Sequence, residues 1–293
     1  MGDAKEIKER ISSIRQTRKI TNAMYLISSS KMKQAKEKLV QTEPFFFAMQ
    51  SEISLILSYR PEIDHYYFDN RSQLKGSDRT IGIIVITADK GLAGAYNHNV
   101  FKLTEKFIAR DETNFLFVLG EVGRHYFENK HENVRLDTDF TYTVQDPTLH
   151  RARLISDKIV DMYNSKKLDE VHIVYTKMNG PLSAEAEHLK LLPLKKSDFD
   201  KGLDNTSKPL TFYPSAKDLM SNVVPIYISG IIYGCLVESY CSEHNSRMIA
   251  MQNATDSADD MLTHLNKTYS RVRQANITQE IIEVAAGAKN KRK

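Results

Sequence analysis

The most chemically suggestive stretch of the chain is "ITADKGLAGAYN", residues 86–97, where an apolar run meets a glycine-containing loop. A strand followed by such a loop and a helix start can hold a phosphate on backbone N–H groups. The spacing matches neither GxGxxG nor GxxxxGK[ST], and strand-to-helix turns need glycine on steric grounds alone. A nucleotide-binding α/β enzyme with coiled-coil oligomerisation arms, its ligand at Gly91–Gly94, is therefore the alternative function rather than the first.

Other common catalytic and metal-binding patterns do not stand out in the sequence. The nine histidines are scattered, with no HExxH and no paired Cys/His spacing, and there is no GxSxG elbow. The acid-rich stretch at 130–146, "KHENVRLDTDFTYTVQD", lacks the order of an EF-hand loop and is interpreted as a solvated face. Cys235 and Cys241, the two cysteines, are expected to be reduced thiols. The sequence predicts no catalytic residue, no metal site and no cofactor.

Hydrogen-bonding side chains are concentrated near the C-terminus instead. The stretch "SRVRQANITQEIIEVAAGAKNKRK", residues 270–293, reads as the end of a long helix. Its last turns carry polar residues where a buried helix would carry leucine. They are Arg271, Arg273, Gln274, Asn276, Thr278, Gln279 and Glu280. Two interpretations fit this pattern: the solvated end of an intramolecular helix pair, and a helix that other proteins surround and hold through hydrogen bonds.

A basic strip lies near the other end of the chain. No acid occurs from Arg10 to Lys36, and the strip consists of Arg10, Arg15, Arg18, Lys19, Lys31, Lys33 and Lys36. Such a strip suits an acidic partner surface, although a solvated helix face gives the same pattern. Aromatic interleaving is lacking, so nucleic acid is not the predicted partner.

The C-terminal polar residues and the basic strip lie on two segments with a heptad pattern. The N-terminal seam alternates by four and three and ends before Pro44, which should stop or kink the helix. It runs through Ile7, Ile11, Ile14, Arg18, Thr21, Tyr25, Ser28, Met32, Ala35 and Leu39. The C-terminal seam runs through Met251, Ala254, Ala258, Met261, Leu265, Thr268, Val272, Ala275, Gln279 and Ile282. Each is the natural antiparallel partner of the other.

The sequence between the two heptad segments has a different pattern of apolar residues. Apolar runs followed by glycine turns and helical patterns alternate from residue 80 onward, which predicts a mainly parallel sheet. The predicted fold is a Rossmann-like α/β domain, 78–214, inserted between N- and C-terminal helices that form an antiparallel coiled-coil shaft, 1–60 with 215–293. The stretch 195–209 is expected to be a loop. No segment is expected to be apolar enough to cross a membrane, and no targeting sequence is expected.

Several of these stretches resemble the γ subunit family of F-type ATP synthases. The resemblance covers nearly the whole chain and includes "KITNAM" and "SKM" near the start and "ITADKGLAGAYN" in the middle. It is most specific near the end, where "RMIAM", "NAT", "RQANIT" and "GA" follow in the family's order and spacing. Because no transit peptide is expected, the resemblance is to the bacterial members.

The resemblance implies a non-catalytic central rotor in a proton- or sodium-translocating ATP synthase. In that family the shaft threads a ring of three α and three β subunits, and its foot meets ε and the membrane c-ring. Rotation couples ion flow to ATP synthesis or hydrolysis at the β subunits. The chain would then be peripheral, on the cytoplasmic face of the bacterial membrane, and reach the membrane only through the c-ring.

The resemblance also implies roles for single residues. Arg273 and Gln274 match family positions that hydrogen-bond a β-subunit loop. The other positions matched to coupling are Met24, Arg247, Thr278 and Glu280. The basic strip would face an acidic segment of the β subunits, where complementary charge steers contact without locking it.

Overall fold

The computed structural model describes two compact units formed by different parts of the chain. It covers residues 2–69, 71, 79–108, 113–128, 134–180, 183–199 and 210–290, with side-chain burial from residue 4 to residue 285. Unit 1 combines Met1–Ser28 with Arg247–Lys293, and unit 2 is Ser29–Ser246. The functional division into a shaft, 1–60 with 215–293, and an α/β domain, 78–214, stays a prediction.

Unit 2 contains a five-stranded sheet in the order β3-β2-β1-β4-β5. The strands are β1 (Thr80–Ile86), β2 (Thr113–Leu119), β3 (Val134–Leu136), β4 (Glu170–Met178) and β5 (Ala184–Leu192). β1 pairs in parallel with both β2 and β4, β2 pairs in parallel with β3, and β5 turns back antiparallel on β4. The predicted mainly parallel sheet is confirmed, and its central strands are continuously apolar because both faces are covered.

Helices cover the two faces of this sheet. The side chains of Ile81, Ile83 and Val85 pack toward α2 (Tyr96–Ile108) and α3 (Glu121–Glu128). On the other face Ile84 and Ile86 join the larger core with α4 (Leu149–Asn164) and segments of the two long helices. The alternation along β1 therefore supplies two cores from one strand.

The long helices are α1 (Gly2–Tyr59) and α5 (Ala216–Asn290). Pro44 was expected to stop or kink α1; it does not stop it, because the helix continues through it. A proline inside a helix costs about 3 kcal/mol, and here Ile53, Ile56 and Leu57 beyond it are buried in the large core. α5 likewise continues through Pro225, and its start is capped by the Ser215 hydroxyl, which accepts from the Asp218 amide at 3.1 Å.

In unit 1 the two helices pair antiparallel, as predicted. The hydroxyls of Thr21 and Thr255 are 2.7 Å apart, and Arg18 Nε lies 2.6 Å from Asp259 Oδ1. Partner numbers rise on one helix as they fall on the other, which fixes the direction. On α1 the predicted seam agrees with the burial pattern: Ile11, Thr21 and Ser28 are the buried positions between residues 4 and 28.

The predicted seam of α5 is only partly correct. Met251 and Ala258 are buried as expected, but Met261 is 55% exposed and Leu262 takes its place at 9%. The next predicted seam positions, Leu265, Thr268 and Val272, are partly buried, so the departure at 261 is local. Ala275, Gln279 and Ile282, also assigned to the seam, are exposed. The antiparallel register places the start of α1 opposite about residue 274, so α1 ends before it could cover them.

The structure corrects two interpretations of irregular segments. The described part of 130–146 is not simply a solvated face, since it contains β3 and buries Phe140 and Val144 in the large core. Within the predicted loop at 195–209, Lys196–Phe199 forms a short 3₁₀ helix and Phe199 is buried. The rest of that stretch, from 200 to 209, lies outside the described residues.

One expectation about membranes also needs correction. α5 contains one 18-residue window that is long and apolar enough, by length and composition alone, to cross a membrane. Just over half of that window, 56%, is buried within the structure. Val224, Ile228 and Ile232 belong to the large core of unit 2, which accounts for its apolar character.

Candidate functional site

The polar residues near the end of α5 lie on an exposed helix surface. Arg273, Gln274, Thr278 and Glu280 are all exposed, and from Ile277 to Ala285 every residue is exposed. The Thr278 hydroxyl donates to the backbone carbonyl of Gln274 at 2.9 Å, which ties these two residues to one turn. Arg273 and Glu280 are seven residues apart, about two turns, and so share one side of the helix. We call Arg273, Gln274, Thr278 and Glu280 the α5 polar surface.

Apolar residues are interleaved with the α5 polar surface. Ile277, Ile281, Ile282 and Val284 are between 43% and 74% exposed. Large apolar side chains exposed together on one helix segment indicate a contact surface for another molecule. This mixture of apolar area and directional donors and acceptors is suited to a partner that surrounds the helix end.

Met24 and Arg247, the other two predicted contact positions, are less accessible. Met24 is half-buried on α1 beside the seam residues Thr21 and Tyr25. Arg247 is only 6% exposed, so a partner could reach little of its side chain. The structure thus does not gather all six predicted residues into one patch: four lie on the α5 polar surface and two lie elsewhere.

The basic strip divides between the two units. Arg10, Arg15, Arg18 and Lys19 belong to unit 1, and Lys31, Lys33 and Lys36 belong to unit 2. All seven are exposed, but Arg18 is neutralised by Asp259, and Lys33 lies 4.0 Å from Glu37 on the next turn. Exposed pairs of this kind contribute at most about 1 kcal/mol and can exchange partners.

The loop after β1 occupies the place where open α/β sheets bind ligands. The strand order reverses between β1 and β4, and such sheets bind ligands beyond the carboxyl ends of the strands at this switch point. Leu92 and Gly94 have positive φ values, 65° and 55°, so the glycine at 94 meets a conformational need.

A carboxylate of the chain already uses backbone donors at this position. Asp89 Oδ1 accepts from the Glu121 amide at 3.2 Å, and Oδ2 accepts from the Val144 amide at 3.2 Å and from the Thr143 hydroxyl. A bound phosphate would meet this negative charge and compete for the same donors. Through Asp89, the loop after β1 is hydrogen-bonded to the start of α3 and to the segment after β3. This arrangement does not favour the nucleotide-binding alternative.

The two cysteine thiols lie in the interior of the structure. Both thiols are buried, and burial raises the pKa of Cys235 and raises that of Cys241 to about 11, so each stays protonated near neutral pH. Among the residues that the structure describes, no three His, Cys, Asp or Glu side chains are grouped to hold a metal ion. The fold and its exposed helix surface define an interaction protein, in which an α/β unit is joined to an antiparallel helical unit.

Comparisons with known proteins show the family to which this chain belongs. A family model described as ATP synthase matches residues 3–290. The ATP synthase gamma chain of Ruminiclostridium cellulolyticum is 45% identical over 289 residues, which are 97% of each chain. The chain therefore belongs to the ATP synthase gamma chain family.

Solved structures of low identity share the fold. One is the central stalk and c-ring of the Tetrahymena thermophila mitochondrial ATP synthase, with a TM-score of 0.60 and 22% identity over 80% of this chain and 99% of that one. Another is the Euglena gracilis mitochondrial ATP synthase with OSCP, F1 and c-ring, with a TM-score of 0.63 and 17% identity over 98% and 94%. Both likenesses agree with a sheet in the middle of the chain between an N-terminal and a C-terminal helix.

Proposed function

We propose that the chain is the central rotor of a proton- or sodium-translocating F-type ATP synthase. In this role it couples rotation of the c-ring to ATP synthesis or hydrolysis at the β subunits and has no catalytic site of its own. Its partners are three α and three β subunits, ε and the c-ring, and nucleic acid is not among them. It is peripheral, on the cytoplasmic face of the bacterial membrane, and meets the membrane through the c-ring.

The observation that carries this proposal is the exposed end of α5. Residues 277–285 of α5 are exposed and include large apolar side chains, whose contact with water is unfavourable, so a surrounding partner is expected there. The α and β subunits fit this requirement, since the gamma-chain family places its shaft inside their ring. The helix end would then be covered in the assembled complex.

The chemistry of the α5 polar surface suits a contact that must be remade repeatedly. Charge-assisted hydrogen bonds from Arg273 depend on direction and strengthen as water is excluded. These hydrogen bonds can therefore stabilise one rotational position of the shaft and be replaced by equivalent bonds at the next position. A purely apolar surface would offer no such directional preference. Gln274 and Glu280 add an amide and a carboxylate to the same helix segment.

The basic strip is proposed to act at longer range. Its exposed charges, with no acid between Arg10 and Lys36, attract an acidic segment of the β subunits without fixed pairing. Screening weakens such attraction beyond about 8–10 Å at physiological salt. The helical pair, 1–60 with 215–293, would transmit torque to and from the α/β domain, 78–214, which would contact ε and the c-ring.

The test is ATPase turnover of α and β subunits from the same source, reconstituted with this chain. We expect a stable complex with faster turnover, and we expect Arg273→Ala combined with Gln274→Ala to reduce that turnover several-fold while nucleotide binding by β is unchanged. Arg153→Ala, which removes an exposed arginine from α4, is the matched control and should leave turnover unaltered. Unchanged turnover in the double variant would remove these residues from coupling, and failure to join the ring would overturn the function.

A further inference from the structure

Two serines of α5 are hydrogen-bonded to the backbone of a single residue in the sheet. The Thr176 amide on β4 donates to Ser239 Oγ at 3.1 Å, and Ser242 Oγ donates to the Thr176 carbonyl oxygen at 3.1 Å. All three residues are at most 2% exposed, so water has little access to these bonds. We call Thr176, Ser239 and Ser242 the Thr176 clamp.

The Thr176 clamp lies where β4 continues past the end of its pairing with β1. The ladder between these strands ends with the pair Val85–Val174, whereas β4 continues to Met178. On its other side β4 remains paired with β5, with Thr176 opposite Ala186. A strand residue points its N–H and C=O to the same side, and those of Thr176 meet α5 where β1 no longer supplies partners. A buried backbone group without a partner is unfavourable, so the two serines complete the sheet at this point.

The spacing of the two serines makes this contact directional. Ser239 and Ser242 are three residues apart, so they lie on one face of α5. Val224, Ile228 and Ile232 hold the same helix in the large core by apolar packing, which has no preferred direction. Hydrogen bonds, in contrast, weaken steeply as their angle departs from linear. Two such bonds to one strand residue therefore favour one rotation of α5 about its axis and one position of the helix along β4.

We propose that Ser239 and Ser242 are positioning residues for coupling, which hold α5 in one orientation on β4 so that the helix and the sheet turn together without slip. This inference rests on the rotor function proposed above. In that role torque passes between the α/β domain and α5, and the Thr176 clamp resists turning of the helix against the sheet. Both serines are buried, so they act through the position of α5 and not by contact with another subunit.

The first test is amide hydrogen exchange of the isolated full-length chain, which needs no partner subunit. We expect the Thr176 amide to exchange as slowly as that of Val174, which lies within the ladder between β1 and β4. Ser239→Ala removes the acceptor of the Thr176 amide and should speed its exchange about tenfold, the effect of losing one buried hydrogen bond. Ser242→Ala keeps that acceptor and should affect the same amide less.

Thr176→Val is the matched control for these variants. The Thr176 hydroxyl is buried and has no hydrogen-bond partner among the residues that the structure describes. Valine has nearly the same shape and keeps both backbone groups, so the amide at 176 should stay as protected as in the original chain. In the unaltered chain, exchange of the Thr176 amide at the rate of an exposed loop amide would show that the clamp does not form. That result overturns the proposal even where a variant fails to fold.

The second test measures coupling in the complete ATP synthase of the same source, which carries this chain and is reconstituted in phospholipid vesicles. The readout is the number of ions moved per ATP hydrolysed, which a loss of stability alone leaves unchanged in the complexes that remain assembled. Ser239→Ala combined with Ser242→Ala should lower this ratio while ATP hydrolysis continues, because α5 can then turn against the sheet. Thr176→Val should keep the original ratio.

The outcomes of the coupling test separate the clamp from the rotor function. An unchanged ratio in the double variant overturns the positioning role and leaves the rotor function intact. If the double variant does not assemble, the two single variants are compared in the same way. An unaltered chain that does not join the complex overturns the rotor function and the role in coupling together, whereas exchange of the Thr176 amide still shows whether the clamp forms.

Discussion

At the scale of single residues, Glu170 is a buried charge that links several strands of the sheet. It joins β1, β4 and β5 through Arg79, His172 and Lys190. We expect Glu170→Gln to lower the free energy of unfolding by about 3 kcal/mol at neutral pH, because it removes the partly buried carboxylate that Arg79 and Lys190 both contact. Urea denaturation checks this, with Glu121→Gln as the control, since Glu121 contacts Arg124 with its side chain 55% exposed.

The pH dependence of the same variant follows from the pKa of Glu170, which burial by itself would raise but which the hydrogen bonds from His172 and Lys190 lower. A carboxyl whose pKa is lower in the folded chain than its ordinary 4.5 contributes stability that is fully present above 4.5. That contribution is lost as the pH falls from about 4.5 toward about 2, where the folded group takes up its proton. The stability difference between the original chain and Glu170→Gln should therefore shrink in this window. A difference independent of pH would show that the charge of Glu170 is not its cause.

The sequence did not predict the contacts that two polar residues, His172 and Asp89, make in the folded chain. The scattered histidines and the absent motifs gave no reason to expect a charge cluster beside His172, since Lys190 reaches Glu170 only when β5 folds back on β4. Asp89 likewise looked like part of a phosphate loop, whereas its partners Glu121, Thr143 and Val144 lie more than thirty residues away in sequence. Contacts of this kind are set by sheet topology, which local spacing does not encode.

At the scale of elements, Gly230 shows how closely α1 and α5 approach in unit 2. A Cβ added at Gly230 would lie 2.0 Å from Cδ1 of Phe46, whereas one added at Gly234 would meet nothing within 4 Å. We expect Gly230→Ala to lower the free energy of unfolding by about 1–3 kcal/mol through overpacking. Gly234→Ala, on the same helix, should be neutral or stabilising by up to about 1 kcal/mol because alanine favours helix.

Chemical denaturation of both variants tests this close approach, and a second substitution identifies its cause. Phe46→Ala should be much less sensitive to Gly230→Ala than the original chain, since the clashing ring is gone. Equal effects of Gly230→Ala and Gly234→Ala would contradict the packing of α1 against α5 at this point.

The helical seam shows what periodicity can and cannot predict. On α1 the heptad pattern agreed with burial across unit 1, because a single register runs through Ile11, Thr21 and Ser28. On α5 the shift from Met261 to Leu262 could not be read from a sequence in which both residues are apolar. The exact partner decides between them, and the Thr21–Thr255 and Arg18–Asp259 contacts fix that register. The prediction of a helix end at Pro44 was wrong for a related reason. The local free-energy cost of the proline is outweighed by the burial of Ile53 and Ile56.

At the scale of the whole molecule, stability and coupling should depend on different parts of α5. Leu262 is buried, and Leu265 and Val272 are partly buried in unit 1, whereas every residue from 277 to 285 is exposed. Removing residues 278–293 should therefore change the free energy of unfolding by less than about 0.5 kcal/mol. Removing residues 262–293 should cost about 2–5 kcal/mol, because the partners of Ile11 and Ile14 are lost.

The same two truncations should separate folding from function in the reconstituted ATPase. The chain lacking 278–293 still folds, but it loses Thr278 and Glu280 together with the exposed isoleucines, so it should assemble less tightly and activate turnover less. Stepwise shortening should weaken activation gradually, since contacts along a helix are distributed. Circular dichroism and turnover measured on the same preparations check both effects. Global unfolding on removal of 278–293 would contradict the assignment of this segment to partner contact, because its described side chains, from 278 to 285, are exposed in the isolated chain.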